Sequence, residues 1–583
     1  MPAETVHDVD QSHFWGPRPT STGEWDFAVW APSCEPVLLQ FDDGRTPVPL
    51  TKGQDGVYRA RCRAEDGARY LFSSAGVTFA DPASLQQAEG VEGWSVLRDL
   101  RHLTKARNWR GRPFDEAVFC EVHIGTFTSE GTFAAAARSP DLKRLADCGI
   151  TAIEIMPVGQ FPGQRGWGYD SVLPWAPQHS YGTPEDLATL VAAAHDLGLM
   201  VFLDVVFNHF GPEGAILSDI CPEFFLDEEN SWGKKIDFRR PEVRSYFTGC
   251  ALHWLERYGF DGLRFDAVHA MEDSSDPPIA VDLARAVRAV RWDRLVHLVA
   301  EDSSNQVGLY HPKAELYDAT WDDDYHHAMH VLLTGESFGY YKDFIKDPLS
   351  DLKLALRDGQ ALQGQLRPAG QESKGEPSGH LPPTSFVNFN LNHDHAGNRP
   401  KGERLISIIG ADRALVAHAF LLSAPYIPLI FMGEEIGSRQ PFPWFADYDG
   451  ESARKMRKGR LEQFKDLPSK GADMLDPFDP NTFRLCHPYG AREPEDAELW
   501  LNVTRRVLGL RRDRLLPLFR SGRAHDADVH ATSPRSLSAS WHFNTGSVRA
   551  EVSFDGRIDD ALAGEDLFRI GQAGSPCFRL QLC

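Results

Sequence analysis

The chain has 583 residues, which is too many for a single hydrophobic core, so two to four domains are expected. Hydrophobic residues make up 42% of the chain and charged residues 25%, values typical of a globular protein. The net charge of −22 argues against nucleic acid or an anionic membrane as a partner and is compatible with a neutral substrate such as a sugar.

The N-terminus and the cysteines bear on location. The opening residues, MPAETVHDVDQSHFWG, lack the apolar segment of a signal peptide, and the chain has no run of 18 apolar residues. The nine cysteines are scattered, odd in number and without a CxxC pair. Such cysteines are typical of reduced thiols rather than of a disulfide framework or a metal site. We therefore expect a cytoplasmic protein.

Residues 1–110 are predicted to form an N-terminal β-sandwich. Short apolar runs such as Trp25–Trp30, Val37–Phe41 and Tyr70–Ser73 alternate with turns rich in Asp and Gly. Short strands separated by turn residues are typical of an all-β domain.

Residues 111–500 follow a different pattern, in which strand-like runs alternate with helical stretches such as Pro184–Leu197 and Pro241–Tyr258. Eight strand-like runs occur: Ala117–Ile124, Ala152–Val158, Met200–Val206, Gly262–Phe265, His297–Ala300, Tyr317–Trp321, Phe386–Asn392 and Ile427–Met432. A doubly wound sheet and a closed (β/α)8 TIM barrel both fit this alternation. Polar residues directly after several different strands favour the barrel, because there all the strand ends meet on one face.

Two connections within the predicted barrel are long. One covers residues 208–240 after the third strand, and the other covers residues 343–383 before the seventh. Loops of that length inside a compact domain are usually functional or mobile.

Short strands return after residue 500, for instance Ser536–Phe543 and Val548–Phe554, so residues 501–583 are predicted to form a small C-terminal β-domain.

The fourth predicted strand runs into two charged residues, Arg264 and Asp266. Because they are two residues apart on a strand, their side chains point to the same side. The guanidinium would keep the carboxylate ionised and its pKa low, as a glycosidase nucleophile requires. A structural ion pair at a strand end is the alternative interpretation.

Three further strand ends carry reactive side chains. His209 lies in the segment DVVFNH after the third strand, and Glu301 follows the fifth. His393 and Asp394 follow the seventh. Retaining glycoside hydrolysis needs one carboxylate nucleophile and one protonated carboxylic acid of raised pKa. Singly, these residues could be a core histidine, a loop acid and a helix N-cap, but their occurrence together at strand ends favours a catalytic site.

These segments resemble the four sequence regions of the α-amylase family of glycoside hydrolases. The matching segments are DVVFNH, GLRFDAVH, VAED and NHD. The resemblance implies Asp266 as the nucleophile, Glu301 as the acid/base and Asp394 as the transition-state stabiliser. It also implies a sugar-binding subsite lined by Tyr169, His209, Arg264 and His393.

Longer segments narrow the resemblance to the maltooligosyltrehalose trehalohydrolases within that family. These segments are Glu121–Phe133, Gln160–Gly182, Val205–Gly214, Trp321–Tyr341 and Gly375–Phe386. The resemblance implies cleavage, with retention, of the α-1,4 bond next to the trehalose end of maltooligosyltrehalose, which releases trehalose. It also implies that no cofactor is needed and that the protein pairs functionally with a maltooligosyltrehalose synthase. His395 and Ala396 depart from the usual family residues after Asp394, which bears on the surroundings of that carboxylate.

Four residues are predicted to recognise the trehalose end of the substrate. His269 lies three residues after Asp266, and Trp232 lies in the long connection after the third strand. Asp324 follows the sixth strand, and Glu376 lies in the long connection before the seventh. An aromatic face can stack on a sugar ring, and carboxylates can bind its hydroxyls. The alternatives are that the tryptophan packs its own loop and that both acids are solvated.

Two other functions are compatible with parts of this pattern. A glycogen branching enzyme, or another amylase-family enzyme acting on α-1,4-glucans, would use the same barrel and the same carboxylate roles. The segment Trp321–Tyr341 argues against the branching enzyme. A non-catalytic glucan-binding protein is disfavoured because all three carboxylates are present.

Asn208 raises the question of a calcium site, because many amylases bind calcium through the residue at this place. Calcium requires six to eight oxygen ligands, and the sequence offers no such set around Asn208. A structural hydrogen-bonding role is therefore favoured for Asn208, and no metal ligand is assigned.

Overall fold

The computed structural model shows a closed barrel between N-terminal β-sheets and a C-terminal β-sheet. It describes residues 14–583 except 107, 231–232, 367–372, 466, 468–470, 491–492, 523–525, 557, 559–563 and 573. Among these described residues, no helix is both long enough and apolar enough to cross a membrane.

Eight parallel strands form the barrel, and each pairs with the next one along the chain. They are β1 (Phe119–Val122), β2 (Ala152–Ile155), β3 (Met200–Val205), β4 (Gly262–Phe265), β5 (His297–Ala300), β6 (Ala319–Trp321), β7 (Phe386–Phe389) and β8 (Ile427–Phe431). β8 returns to pair with β1, where Leu429 lies opposite Phe119, and this pairing closes the barrel. The predicted (β/α)8 TIM barrel is confirmed.

Helices follow the strands along the chain. The longer ones are α1 (Pro140–Cys148), α2 (Pro184–Asp196), α3 (Pro241–His253), α4 (Ile279–Ala289), α5 (Asp323–Thr334), α6 (Pro348–Asp358), α7 (Ala411–Ser423), α8 (Gly450–Gln463) and α9 (Ala497–Leu510). Shorter ones span Ile124–Phe127, Phe133–Arg138, Leu217–Ile220, His393–Gly397, Leu405–Ile409, Pro480–Arg484 and Leu516–Phe519. α2 begins with a capping box, in which Thr183 and Asp186 each accept a hydrogen bond from the backbone N–H of the other.

Inward-facing side chains two residues apart on each strand fill the barrel. Its lower part is an apolar cluster, here called the barrel floor, made of Phe114, Ala117, Phe119, Ala152, Met200, Phe202, Val299, Ala319, Trp321, Val387, Phe389, Ile427 and Leu429. Gly262 is required at this level, because a Cβ there would lie 2.2 Å from Cε1 of Phe202. Two residues after Phe119, Phe202 and Gly262, the same strands carry buried charged side chains. The barrel is therefore apolar below and charged at its carboxyl end.

Two antiparallel sheets make up the N-terminal region. One consists of Arg18–Pro19, Glu24–Trp30, Val57–Arg63 and Thr51–Lys52, and the other of Val48–Pro49, Val37–Phe41, Arg69–Ser74, Val77–Phe79 and Ser95–Val96. Phe27 of the first sheet packs against Tyr70 of the second, with ring centroids 5.2 Å apart. The two sheets therefore share one core, as a β-sandwich does.

The C-terminal region is a five-stranded antiparallel sheet. Its strands, in spatial order, are Asp526–Ser533, Ser536–Phe543, Gly546–Ser553, Cys577–Leu582 and Glu565–Ile570. Trp541 of this sheet donates its indole N–H to the carbonyl of Leu356 in α6 at 2.9 Å, which fixes the sheet against a barrel helix. Residue 501, the predicted start of this domain, lies inside α9. The division at residues 110 and 500 remains a prediction.

The main differences from the predicted elements lie at strand ends. The predicted strand Ala117–Ile124 is reduced to Phe119–Val122, and the predicted strand Phe386–Asn392 ends at Phe389. Beyond these ends the chain turns into short helices and loops that carry the polar side chains. The long connections also contain regular structure: a hairpin of Phe225–Asn230 and Gly233–Ile236 in the first, and α6 in the second.

Candidate active site

Arg264 lies at the centre of the charged end of the barrel. Its Nη1 donates to Oδ2 of Asp204 at 2.6 Å and to Oδ1 of Asp266 at 2.9 Å. Its Nη2 donates to Oε2 of Glu301 at 2.6 Å. The guanidinium is buried, so these charge-assisted hydrogen bonds are poorly screened by solvent. One side chain thus joins carboxylates from the ends of β3, β4 and β5.

Aromatic side chains hold this charged group in place. The Arg264 guanidinium lies 4.1 Å from the ring centroid of Trp321 at the end of β6, a cation–π contact. Tyr169 donates its hydroxyl to Oδ2 of Asp204 at 2.5 Å. The ring of Tyr169 also stacks on His393, with centroids 4.8 Å apart. Tyr169 and His393, both predicted to line one sugar subsite, therefore lie side by side.

His393 is bound to a carboxylate from the opposite end of the sequence. Glu121, at the end of β1, accepts a hydrogen bond from the backbone N–H of His393 at 2.8 Å, and its other oxygen contacts Nδ1. Burial alone would lower the pKa of His393, but the Glu121 carboxylate raises it above its usual value. The ring is therefore oriented, and its protonated form is favoured relative to that of a free histidine.

Asp394 lies in the first turn of the short helix His393–Gly397, whose N-cap is Asn392. Its Oδ1 accepts a hydrogen bond from Asn398 at 2.6 Å. Arg460 of α8 holds this turn, because its guanidinium donates to the Asn398 side chain and to the Gly397 carbonyl, both at 2.5 Å. Burial raises the pKa of Asp394, and the neighbouring His393 opposes that rise.

The protonation of the two central carboxyls differs from the sequence expectation. Burial, and then the charge of Glu301, raise the pKa of Asp266 well above its usual range. Although burial opposes it, the Arg264 guanidinium lowers the pKa of Glu301. The expectation of a low pKa for Asp266 and a raised one for Glu301 was therefore wrong for this arrangement.

The hydrogen bonds explain this reversal. Glu301 receives two donors on one oxygen, Nη2 of Arg264 and the backbone N–H of Ala267 at 3.0 Å. Asp266 receives only Nη1 among its contacts with Arg264, and it shares that nitrogen with Asp204. Donors favour the ionised form, so the proton of the pair rests on Asp266.

His209 and His269 differ in burial. His209 is buried, its Nδ1 contacts Oδ1 of Asn208 at 3.1 Å, and burial lowers its pKa to about 4, so the ring is neutral. This contact fits the structural role expected for Asn208. His269 is exposed, and its Nε2 lies 3.1 Å from Oγ of Ser303, two residues after Glu301.

The remaining predicted trehalose-binding residues differ in setting. Asp324 is only 3% exposed, and its Oδ2 accepts hydrogen bonds from Asn305, from the Ala361 N–H and from the Leu362 N–H. These contacts anchor the long connection before β7 and do not favour sugar binding by Asp324. Glu376 is exposed, and its carboxylate accepts from the Val307 N–H at 3.0 Å. Trp232 lies outside the described residues.

Several residues of the site were not singled out from the sequence. Glu121, Trp321 and Arg460 reach it from β1, β6 and α8. A carboxylate within the otherwise apolar strand FCEV was the available signal for Glu121. Asp204 belongs to the segment DVVFNH, but the sequence did not indicate its partner. In the structure Asp204 accepts a hydrogen bond from Arg264.

The barrel, with carboxylates at the ends of β4, β5 and β7, defines an amylase-type glycoside hydrolase. The family model "Alpha amylase, catalytic domain" matches residues 139–221. A malto-oligosyltrehalose trehalohydrolase from Deinococcus radiodurans is 38% identical over 88% of this chain and 84% of its own length. The chain belongs to the malto-oligosyltrehalose trehalohydrolase family.

Two further comparisons bear on the fold and on the alternative function. A crystal structure from Salmonella typhimurium, provisionally assigned as an alpha amylase, superposes with a TM-score of 0.92 at 38% identity and covers 98% of this chain and 99% of that one. A 1,4-alpha-glucan branching enzyme from Jannaschia is 33% identical, but over only 42% of this chain and 39% of its own length. The similarity to the branching enzyme is thus partial.

Proposed function

We propose that this protein hydrolyses the α-1,4-glucosidic bond next to the trehalose end of maltooligosyltrehalose, with Asp266 as nucleophile, Glu301 as acid/base and Asp394 as stabiliser. The products are trehalose and a maltooligosaccharide, so the reaction serves trehalose biosynthesis. The observation that carries the assignment is the Arg264 group, which gathers Asp204, Asp266 and Glu301 from three strands. The printed name of the Deinococcus radiodurans relative supports the substrate.

The reaction proceeds in two displacements. Glu301 donates its proton to the glycosidic oxygen, while Asp266 attacks the anomeric carbon and forms a covalent glycosyl-enzyme. Glu301 then takes a proton from water, which cleaves the ester with net retention of configuration. Retaining carboxylates lie about 5–5.5 Å apart, and inverting ones about 6.5–9.5 Å. Two carboxylates held by the two ends of one guanidinium fit the shorter spacing.

The position of the proton adds a step before chemistry. In the unliganded arrangement the proton of the pair rests on Asp266, whereas bond cleavage requires it on Glu301. A glycosidic oxygen near Glu301 offers that carboxyl an acceptor and competes with its contact to Arg264. Once Arg264 interacts mainly with Asp204 and Asp266, the ionised form of Asp266 is favoured. Substrate binding thus transfers the proton to the residue that uses it.

The other residues bind the sugar on the non-reducing side of the cleaved bond. Tyr169 offers its ring face, and His393, held by Glu121, offers Nε2 to a hydroxyl. Asp394 stands next to His393 and stabilises the positive charge that develops on the anomeric carbon. His209 completes this subsite as a neutral donor or acceptor.

The trehalose end is recognised on the leaving-group side. Trehalose is bent at its α,α-1,1 link, so its second ring occupies space that a linear glucan does not. His269, exposed beside Ser303, and Glu376, exposed on the long connection, are the described candidates on this side. The role of Trp232 in binding trehalose remains a prediction. A cytoplasmic location and pairing with a maltooligosyltrehalose synthase also remain predictions.

Product analysis tests this function. Maltotriosyltrehalose and maltopentaose, each containing five glucose units, are incubated in parallel, and the products are separated by anion-exchange chromatography. Trehalose and maltotriose should accumulate from the first substrate, with much slower turnover of the second. Equal cleavage of both would indicate a general α-1,4-glucanase. A changed iodine stain of amylose without release of trehalose would indicate a branching enzyme instead.

A further inference from the structure

A second group of polar side chains lies next to the catalytic carboxylates. Asp323, His327 and His395 each present a potential ligand atom, and these atoms all lie within 4.8 Å of one another. Asp323 and His327 come from α5, after β6, and His395 comes from the short helix after β7. We call these three residues the His327 cluster. The proposed catalytic mechanism assigns no task to it.

The local backbone orients the cluster. Asp323 and His327 are four residues apart on α5, so their side chains lie on the same face, one turn apart. The His327 ring is held by stacking on Tyr340, with centroids 4.6 Å apart. His395 contacts Oδ1 of Asn392 through Nδ1 at 2.7 Å. An amide oxygen can only accept, so Nδ1 carries the proton and Nε2 is the unprotonated nitrogen.

The surroundings of the cluster suit a cation. His327 and His395 are both buried, so the two imidazole ligands are shielded from bulk solvent. Asp323 lies within electrostatic range of two further carboxyls, Glu301 and Asp394. A dication would offset the mutual repulsion of these carboxylates.

We propose that Asp323, His327 and His395 bind one divalent transition-metal ion of the zinc type. Two imidazole nitrogens and one carboxylate oxygen match the donor preference of zinc, whereas calcium and magnesium prefer all-oxygen sites. Three protein ligands leave a fourth position for water or a sugar hydroxyl. A tetrahedral zinc ion with bonds of about 2.0–2.1 Å places its ligand atoms about 3.3 Å apart. In the present structure the ligand atoms lie within 4.8 Å of one another, and Asp323 is half-buried rather than fully enclosed.

The positive charge of Lys374 lies near the cluster and opposes the binding of a cation, so its removal provides a second, independent test. Lys374, on the long connection before β7, acts electrostatically on both Asp323 and His327. It is exposed, and its Nζ donates to the Ser303 carbonyl at 3.0 Å. Removing this positive charge should therefore strengthen metal binding, while loss of any ligand should weaken it.

The ion would also interfere with catalysis. His395 directly follows Asp394 in the chain, and Asp323 interacts with both Glu301 and Asp394. An ion bound there adds positive charge beside the developing oxocarbenium ion and occupies space next to the sugar. Zinc should therefore inhibit hydrolysis, and a chelator should restore it. This second readout rests on the proposed function, whereas binding itself does not.

Equilibrium dialysis of the metal-free full chain against Zn²⁺, with metal content measured by mass spectrometry, tests the binding. Wild type should bind one zinc ion per chain, and His395→Gln, His327→Gln and Asp323→Asn should each bind it at least about tenfold more weakly. Lys374→Gln should bind it more tightly. His542→Gln, which alters a histidine of the C-terminal sheet, is the matched control and should bind like wild type.

Thermal melts followed by circular dichroism identify any variant that fails to fold. If a variant of a buried histidine fails to fold, the half-buried Asp323→Asn variant still tests the proposal. Cobalt substituted for zinc should give the intense visible bands of a tetrahedral site in wild type and lose them in His395→Gln. Equal zinc binding by wild type and all three ligand variants would overturn the proposal. Zinc binding without inhibition would leave the site in place and contradict its link to the proposed reaction.

Discussion

The barrel floor and the charged layer directly above it are built from the same strands. On β1 the chain passes from Phe119 in the floor to Glu121 in the charged layer, and on β3 from Phe202 to Asp204. The floor is entirely apolar and contributes stability by burial. The charged layer buries several ionisable groups, which is costly unless they have partners, and Arg264 contacts three of their carboxyls. Side chains that stabilise the fold and side chains of the candidate active site are thus only two residues apart on the same strand.

The largest expected effect comes from replacing a carboxyl of the charged layer while leaving the barrel floor intact. Asp266→Asn and Glu301→Gln should each lower kcat by about 10⁴-fold or more, roughly 5 kcal/mol, because nucleophile and acid act in the same step. Asp394→Asn should also be severe, through lost electrostatic stabilisation. Single-turnover kinetics on maltotriosyltrehalose measures the loss. Retention of more than about a tenth of wild-type kcat, a loss below about 1.4 kcal/mol, would refute the role of that residue.

The complementary change is made in the floor. Phe202→Ala should destabilise the protein by about 3–5 kcal/mol, because it removes a buried ring that packs edge-on against Phe119. The catalytic rate per folded molecule should change far less. Urea denaturation followed by fluorescence, together with active-site titration, separates the two effects. A large loss of kcat in fully folded Phe202→Ala would show that the two layers are not separable.

The next effect is expected in the long connection before β7, which carries Glu376. Glu376→Gln should lower kcat/KM for maltotriosyltrehalose more than for maltopentaose, by about 1–3 kcal/mol in the ratio, since one hydrogen bond to the trehalose end is lost. Trp232→Ala should act in the same direction. Lys346→Gln, at an exposed position of the same long connection, serves as the control. Equal losses on both substrates would mean that Glu376 does not recognise trehalose.

The charged layer, unlike the floor, should respond to pH. The reactive form carries one proton on the Asp266–Glu301 pair, so kcat/KM should fall on both sides of an optimum. The lowered pKa of Glu301 sets the acid side, where both carboxyls become protonated. The raised pKa of Asp266 sets the alkaline side, where both are ionised. Initial rates from about pH 3 to 10 should change about tenfold per pH unit on each limb, and a missing limb would contradict two-carboxylate catalysis.

A further effect of pH is expected at Glu154 on β2, a carboxyl within the charged layer. Neither of its oxygens has a hydrogen-bond donor among the described residues, and burial raises its pKa well above the usual range. It is therefore neutral when folded and ionises on unfolding, so its contribution to stability is lost as pH rises above its unfolded pKa of about 4.3.

Glu154→Gln removes this penalty. The variant should be more stable than wild type by about 3–4 kcal/mol at pH 7, which lies about 2.7 pH units above the unfolded pKa at about 1.36 kcal/mol per unit, and equally stable near pH 4. Thermal melts at the two pH values measure the difference. Glu229→Gln, on the exposed hairpin after β3, is the matched control and should show no such dependence. A gain for Glu154→Gln that is the same at both pH values would exclude the ionisation argument.

The sequence by itself determined the strands, the order of the helices and the catalytic candidates. Apolar runs of three to six residues form the barrel strands, and polar or charged residues directly after them mark the carboxyl end. Asp266, Glu301 and Asp394 could therefore be picked out with their neighbours. The exact strand ends were harder to predict from the sequence. Asn392, for example, caps a helix instead of extending the strand, and whether it does so depends on the conformation of the following loop.

Only the tertiary structure decided which charges meet. Arg264 reaches Asp204 across 60 positions and Glu301 across 37, and Glu121 reaches His393 across 272, because barrel closure brings β1 and the end of β7 to one rim. The proton of the Asp266–Glu301 pair follows from how many donors each carboxyl receives, which spacing along the chain does not encode. The same holds for the His327 cluster, whose members lie on two different helices. Long-range electrostatics depends on distances in space, and these exist only once the barrel is closed.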